Sequence, residues 1–225
     1  MGGQACILYG GSEFSRDTDI AILPEQENLQ RLEAALEELK AEPIAVPQLS
    51  REFLLKGHAI HFRCRHSDAM NMRIDIMSVL RNAPSFEILW QRRTSMELSD
   101  GLIVDIVSLP DLVAIKKTQR DKDWFHIRRL IEADYLENSE KNSSENIRFW
   151  LTEARTPEII RILASNNPEI VKELKNKRQL LGLLPNCSDE ELSIALIKEE
   201  QFERETDKLY WLPLRKELEK VRHKL

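Results

Sequence analysis

The sequence predicts a mixed α/β fold of the α+β kind, in which a short mixed sheet with helices is followed by a helical C-terminal domain. Three observations predict it. Short alternating apolar runs fall before residue 110, leucines at helical spacing lie between them, and from about residue 145 onward the pattern is helical throughout. The 225 residues, 42% hydrophobic and 32% charged, suffice for one large domain or two small ones with a buried core.

The first strand is "DTDIAIL", where Thr18, Ile20 and Ile22 share one face and Asp17, Asp19 and Ala21 the other. "PEQENLQRLEAALEELK" follows, with Pro24 just ahead, acids in its first turn and Leu29, Leu32, Leu36 and Leu39 on one helical face. Two further strands are "GHAIHFRC" and "MNMRIDIMSVL", joined by the polar turn "RHSDA". In the second, Ile74 and Ile76 face one way and Arg73, Asp75 and Met77 the other, repeating the setting of Asp17 and Asp19. A fourth apolar run, "GLIVDIVSL", leads into two helices, "PDLVAIKKTQ" and "DKDWFHIRRLIEADYLE". The Ser- and Asn-rich stretch 137–146 reads as a linker, dividing a domain at 1–136 from a helical one at 145–225.

Composition narrows the function classes. No run approaches the roughly 18 apolar residues of a membrane span, and the N-terminus lacks a basic segment followed by an apolar one, so the expectation is a cytoplasmic chain without membrane association. Cys6, Cys64 and Cys187 lie far apart with no CxxC pair, which suits reduced thiols better than disulfides or a zinc site. The net charge of −5 argues against binding nucleic acid over the whole surface, though not against a local groove. Up to residue 140 there are 17 basic and 23 acidic residues, so the acidity sits with the aspartates.

Four of the seven glycines fall in the first eleven residues, directly ahead of Asp17 and Asp19. Residues i and i+2 of a strand point the same way with Cα atoms roughly 6.5–7 Å apart, so these two acids face one space. A third acid, Asp75 on a neighbouring strand, would complete a site for hard cations such as Mg²⁺, whose all-oxygen shell also takes substrate phosphates. Two such ions can support phosphoryl or nucleotidyl transfer. The plain alternative is three exposed polar residues on half-buried strands.

"GGQACILYGGSEFSRDTDIAI" resembles the opening motif of the DNA polymerase β-like nucleotidyltransferase superfamily: an apolar residue, a Gly-Gly or Gly-Ser pair, about a dozen residues, then Asp-x-Asp. Thirteen residues separate Gly3 from Asp17 and only five separate Gly11 from it, so Gly2 and Gly3 fill the motif. Within the superfamily the chain is similar to the bacterial AbiEii-toxin-like branch, through Gly2, Gly3, Ala5, Gly10, Ser15, Asp17 and Asp19, and through Lys116, Arg120, Lys122 and Asp123 in "SLPDLVAIKKTQRDKDWFHIRRL". The likeness covers about residues 1–135. It implies that Asp17, Asp19 and Asp75 are catalytic and hold Mg²⁺, two ions in all, with Asp75 helping to deprotonate an acceptor hydroxyl. It implies that Gly2 and Gly3 let the backbone approach a triphosphate, that Ser12 or Ser15 donates to a phosphate, and that Lys116, with Lys117 as competitor, and Arg120 bind the nucleotide. A local turn or cap is the alternative for each serine, and a solvated pair for the lysines.

The implied reaction moves a nucleoside monophosphate from an NTP to a hydroxyl of RNA, protein or a small molecule, releasing pyrophosphate, in a toxin-like setting with an antitoxin-like partner protein. The alternative is a catalytically inactive binding or regulatory protein of the same fold. Met1 immediately precedes Gly2, so the strand expected ahead of the glycine pair is missing; either the start lies too far downstream or the fold tolerates the loss, and the triphosphate end of the site is expected to be loosened. Weaker constellations remain. His58, Cys64 and His66 fall on one strand face and His61 on the other, which disfavours zinc. Arg63, Arg65, Arg73 and Arg81 surround the third acid, Trp124 and Phe125 read as core, and Glu132, Asp134 and Glu137 are the acids available to a basic small-molecule acceptor.

Overall fold

Isoleucines that alternate with polar residues form the centre of a four-stranded sheet. In the computed structural model, which describes residues 1–141 and 143–223, β1 (Asp17–Ala21), β2 (Glu42–Pro43), β3 (Ile60–Arg63) and β4 (Arg73–Met77) pair in the order β1-β4-β3-β2. The β1 and β4 strands are parallel, and the other pairs are antiparallel. Ile60, Phe62, Ile74 and Ile76 are buried on one face with Leu29 and Leu36 of α2 (Gln26–Glu38) and Leu54 of α3 (Arg51–Leu55). Ser50 caps α3 by accepting from Phe53 N at 3.3 Å. The sequence thus placed β1, β3, β4 and α2, because apolar–polar alternation and leucines at 3.6-residue spacing are both clear here, and it gave no sign of the two-residue β2.

Around the sheet lie α1 (Gly2–Leu8), α4 (Phe86–Arg92) and α5 (Leu109–Ile115). A separate hairpin pairs β5 (Thr94–Glu97) with β6 (Ile103–Ile106). The fourth apolar run is its second strand. The first, Thr-Ser-Met-Glu, is short and largely polar and carries no alternation of its own. Its turn is set by Asp100, which accepts from Leu102 N at 3.1 Å, and by Gly101 at φ +82°.

The helical region comprises α6 (Asp121–Asn138), α7 (Ser144–Glu153), α8 (Pro157–Asn166), α9 (Pro168–Leu174) and α10 (Asp189–Arg222). Trp150, Leu151, Ile160, Leu181 and Leu192 form its buried centre. Arg178 is buried among them and donates to Leu151 O and Ala154 O at 2.9 and 2.8 Å, satisfying carbonyls at the end of α7 that have no helical partner.

The chain divides into two compact units, but not at the polar stretch. One unit contains Met1–Leu8, Ser12–Ile115 and the chain from Lys208 onward; the other contains Tyr9–Gly11 and Lys116–Asp207. The polar stretch is a helix-to-helix connection: α6 runs to Asn138, a 3₁₀ turn covers Ser139–Lys141, and Ser143 caps α7 by accepting from Asn146 N at 3.1 Å. Its serines and asparagines therefore serve helix ends rather than a domain boundary. Asn142 lies outside the described residues. Among the described residues no helix is long and apolar enough to cross a membrane.

Candidate functional site

The strand register assembles the acids. Asp19 lies opposite Asp75 and Asp17 opposite Arg73 across the parallel β1–β4 pair, while β3 sets His61 opposite Asp75 and Arg63 opposite Arg73. Cross-strand partners share a face, so Asp17, Asp19, Arg73, Asp75, His61 and Arg63 occupy the sheet face away from the isoleucine core.

Asp75 is the most constrained of them. Its Oδ1 accepts from Arg73 Nε and from His61 Nδ1, each at 2.8 Å. Arg73 Nη2 also stands 3.1 Å from His61 Nδ1. A guanidinium can only donate, and one ring nitrogen cannot both donate and accept, so the stronger partner decides: Nδ1 carries its proton toward the carboxylate. Burial alone would raise the Asp75 pKa, but hydrogen bonds from His61 and Arg73, with their charges, outweigh it and hold the carboxyl below its ordinary value. Arg73 is held above its ordinary value, chiefly by the hydrogen bond to Asp75 against the effect of burial, with Asp17 and Asp19 adding to it.

The glycine pair abuts these acids. Gly2 has φ +70°, and a Cβ there would fall 1.8 Å from Asp19 Oδ2; a Cβ at Gly3 would fall 2.2 Å from Ser15 Oγ. Gly3 N donates to Asp19 Oδ2 at 3.4 Å, and the Met1 ammonium donates to Asp19 O at 2.9 Å. Ser15 Oγ donates to Asp17 O at 2.9 Å, as a local cap would. Gly2, Gly3, Ser15, Asp17, Asp19 and Asp75 are thus brought together. Ser12 is not among them; its hydroxyl donates to Phe14 O at 3.2 Å in the connecting turn. A cavity of about 490 Å³ includes Asp19 in its lining and is walled by α1, β1, α4 and β6, with Trp90 and Arg93 also among its lining residues.

Lys116 and Arg120 belong to the other unit, and both are engaged there. Asp123, fully buried, accepts from Lys116 Nζ at 3.1 Å, Thr118 Oγ1 at 2.6 Å and Arg120 Nε at 2.7 Å. Burial would raise the Asp123 pKa, yet Lys116, Arg120 and Thr118 together hold it below its ordinary value. Lys116 itself is buried, and Lys117 pairs with Glu153 at 2.9 Å. The two cations assigned to the nucleotide by resemblance are therefore partners of a structural carboxylate at the start of α6.

Three carboxylates are the donors that Mg²⁺ prefers, and Mg²⁺ needs only one or two from protein beside waters and phosphates. Asp17 and Asp19, two residues apart on one strand face, are the residues that could supply them. Among the described residues no three acid, His or Cys side chains stand close enough to ligate one ion together. Asp75 is turned to Arg73 and His61 instead.

The remaining candidates resolve as follows. His58 is buried and pairs with Glu217 at 2.9 Å, and Cys64 is buried in the core. Arg65 pairs with Glu42 at 2.9 Å. Glu132 accepts from Thr156 and Arg128, and Asp134 from Trp150 Nε1 at 2.6 Å, so these acids are spent within the helical unit. Trp124 is core, whereas Phe125 is 58% exposed, because neighbours on a helix point about 100° apart and only one can face inward. Sequence reasoning missed His61 as a partner of Asp75. The signal was available only through the antiparallel pairing of the two strands it had already identified. No family model matches this chain, and no curated protein matches it.

Proposed function

We propose that the chain is a metal-dependent nucleotidyltransferase that moves a nucleoside monophosphate from an NTP to a hydroxyl of RNA, protein or a small molecule. The observation that carries this reading is the β1–β4 register, with Asp19 opposite Asp75, Asp17 two residues away on the same face and the glycine pair against Asp19. Asp17 and Asp19 would hold Mg²⁺, which supplies positive charge against the triphosphate and the departing pyrophosphate. Asp75, kept ionised by Arg73 and His61, would orient the acceptor hydroxyl by accepting its hydrogen bond. The cavity beside Asp19 offers the volume of an ordinary ligand pocket for the rest of a substrate.

A second reading is a binding or regulatory protein of the same fold without turnover. It is favoured by one observation, that Asp75 is already neutralised by Arg73 and His61 and so is drawn away from a cation. Titration of the full chain with a non-hydrolysable NTP analogue, with Mn²⁺ and then with chelator, tests the proposal. Metal-dependent binding that weakens at least about tenfold in Asp17→Asn and Asp19→Asn is expected. Binding indifferent to metal and to both substitutions would contradict it.

A further inference from the structure

β1 ends the four-stranded sheet, so one of its edges has no partner strand. Ile22 N donates to Met77 O at 2.9 Å, and alternate residues pair in a parallel ladder. Ile20 therefore turns its N–H and C=O to β4, while Asp19 and Ala21 turn theirs to the open edge. The hairpin behaves alike: Leu98 N donates to Leu102 O at 2.8 Å, so Val104 and Ile106 pair with β5 and Asp105 turns its N–H and C=O outward. Residues 18–21 and 104–107 all line the cavity of about 490 Å³. Successive side chains on a strand point to opposite faces, so a space that meets four in a row meets the strand along its edge. The Met1 ammonium takes Asp19 O at 2.9 Å, whereas the main-chain N–H and C=O groups of Ala21 and Asp105 have no partner among the described residues.

The side chains around these edges define the occupant. Arg93 is spent on Asp105 at 3.1 Å and lies with Cζ 4.0 Å from the Trp90 ring centroid. Asp19 is the third charged side chain of the lining, and the proposed function gives it to the metal. Ile7, Leu8, Leu89, Leu98 and Ile106 make much of the remaining wall apolar. A fitting group is thus uncharged, apolar on its faces and hydrogen-bonding in its own plane. A nucleobase has this chemistry, and a purine adds the N7 acceptor on a second edge, which a pyrimidine lacks. We propose that this cavity holds the base of the NTP and selects a purine, with the main chain of Ala21 and of Asp105 pairing with its two polar edges and Asp19 at the phosphate end. The proposal rests on the nucleotidyltransferase reading for the phosphates and on the two strand edges for the base.

The test is calorimetric titration of the full chain, in chelator, with adenosine, guanosine, cytidine and uridine, which carry the base without phosphates. Adenosine or guanosine is expected to saturate one site with a Kd below about 1 mM and to bind at least about tenfold tighter than either pyrimidine nucleoside. Val104→Trp, whose added bulk enters the open cavity, should weaken that binding at least about tenfold. Ala21→Pro removes an N–H at the open edge and no ladder bond, which an edge strand tolerates, and should also weaken it. The proposal is overturned if no nucleoside saturates, if the pyrimidines bind as tightly as the purines, or if Val104→Trp binds as the wild type does. Should Val104→Trp fail to fold by circular dichroism, Ala21→Pro decides in its place. Purine binding in a chain whose NTP binding ignores metal keeps the base pocket and removes the nucleotidyltransferase reading. Metal-dependent NTP binding that is equal for purine and pyrimidine triphosphates does the reverse.

Discussion

Removing the Asp123 carboxylate should cost the protein a large part of its stability. Asp123 has no exposed surface, and three donors converge on it from Lys116, Thr118 and Arg120. In Asp123→Ala these donors differ in what they lose. Arg120 is 57% exposed and regains water, so its share is about 0–1 kcal/mol. Lys116 is 7% exposed and is left as an unpaired buried cation, which typically costs about 3–5 kcal/mol. Lys116→Met should cost less, because Asp123 keeps Thr118 and Arg120. The double variant should be more stable than the sum of the two losses by at least about 1 kcal/mol, since the stranded lysine is gone. Urea unfolding followed by tryptophan fluorescence measures all three, and Trp124 reports directly, because its Nε1 donates to Thr118 O at 2.7 Å. A loss below about 1 kcal/mol in Asp123→Ala, or strict additivity, would refute the structural role given to Lys116.

Three further outcomes are expected. Gly2→Ala demands both a positive φ and the space now held by the Asp19 carboxylate, so it should destabilise by about 1–2 kcal/mol in urea unfolding and weaken Mn²⁺ binding in the same preparation. Asp75 and Asp123 both have folded pKa values below the ordinary 3.8. The unfolded chain then binds more protons than the folded one below that value, so their contribution is complete at neutral pH and is lost as pH falls through their folded pKa values. Urea midpoints should be level in this respect above about pH 5 and fall toward pH 3, less steeply in Asp75→Asn. Leu54→Ala, at a fully buried position between α3 and the sheet, should cost about 2–5 kcal/mol by calorimetry or urea unfolding.

The sheet and the acids were legible in the sequence because residue type alternates in strand fashion through Ile74, Asp75 and Ile76 and through Thr18, Asp19 and Ile20, although burial itself is uniform along both triplets. Proximity in space was harder. His61 and Asp75 are fourteen residues apart, and only the antiparallel register of β3 and β4 makes them partners. Lys116 and Arg120 were assigned to a nucleotide, although Arg120 and Asp123 stand at i and i+3 at a helix start, where pairing is local. The two compact units do not part at 137–146, where Ser and Asn cap helices, and the polarity of that stretch cannot by itself distinguish caps from a linker. β5 escaped notice because it is four residues long, Met96 is its one large apolar side chain, and its inner face is only half-buried.

The most direct test of the central claim is transfer of α-labelled NTPs by the full chain with Mg²⁺ into a cell extract separated into RNA, protein and small molecules. The account predicts label in one fraction from the wild-type chain and none above background from Asp17→Asn or Asp75→Asn, both folded as judged by circular dichroism. Label that persists in the variants, or no label in any fraction, would contradict it and leave the binding-protein reading in its place.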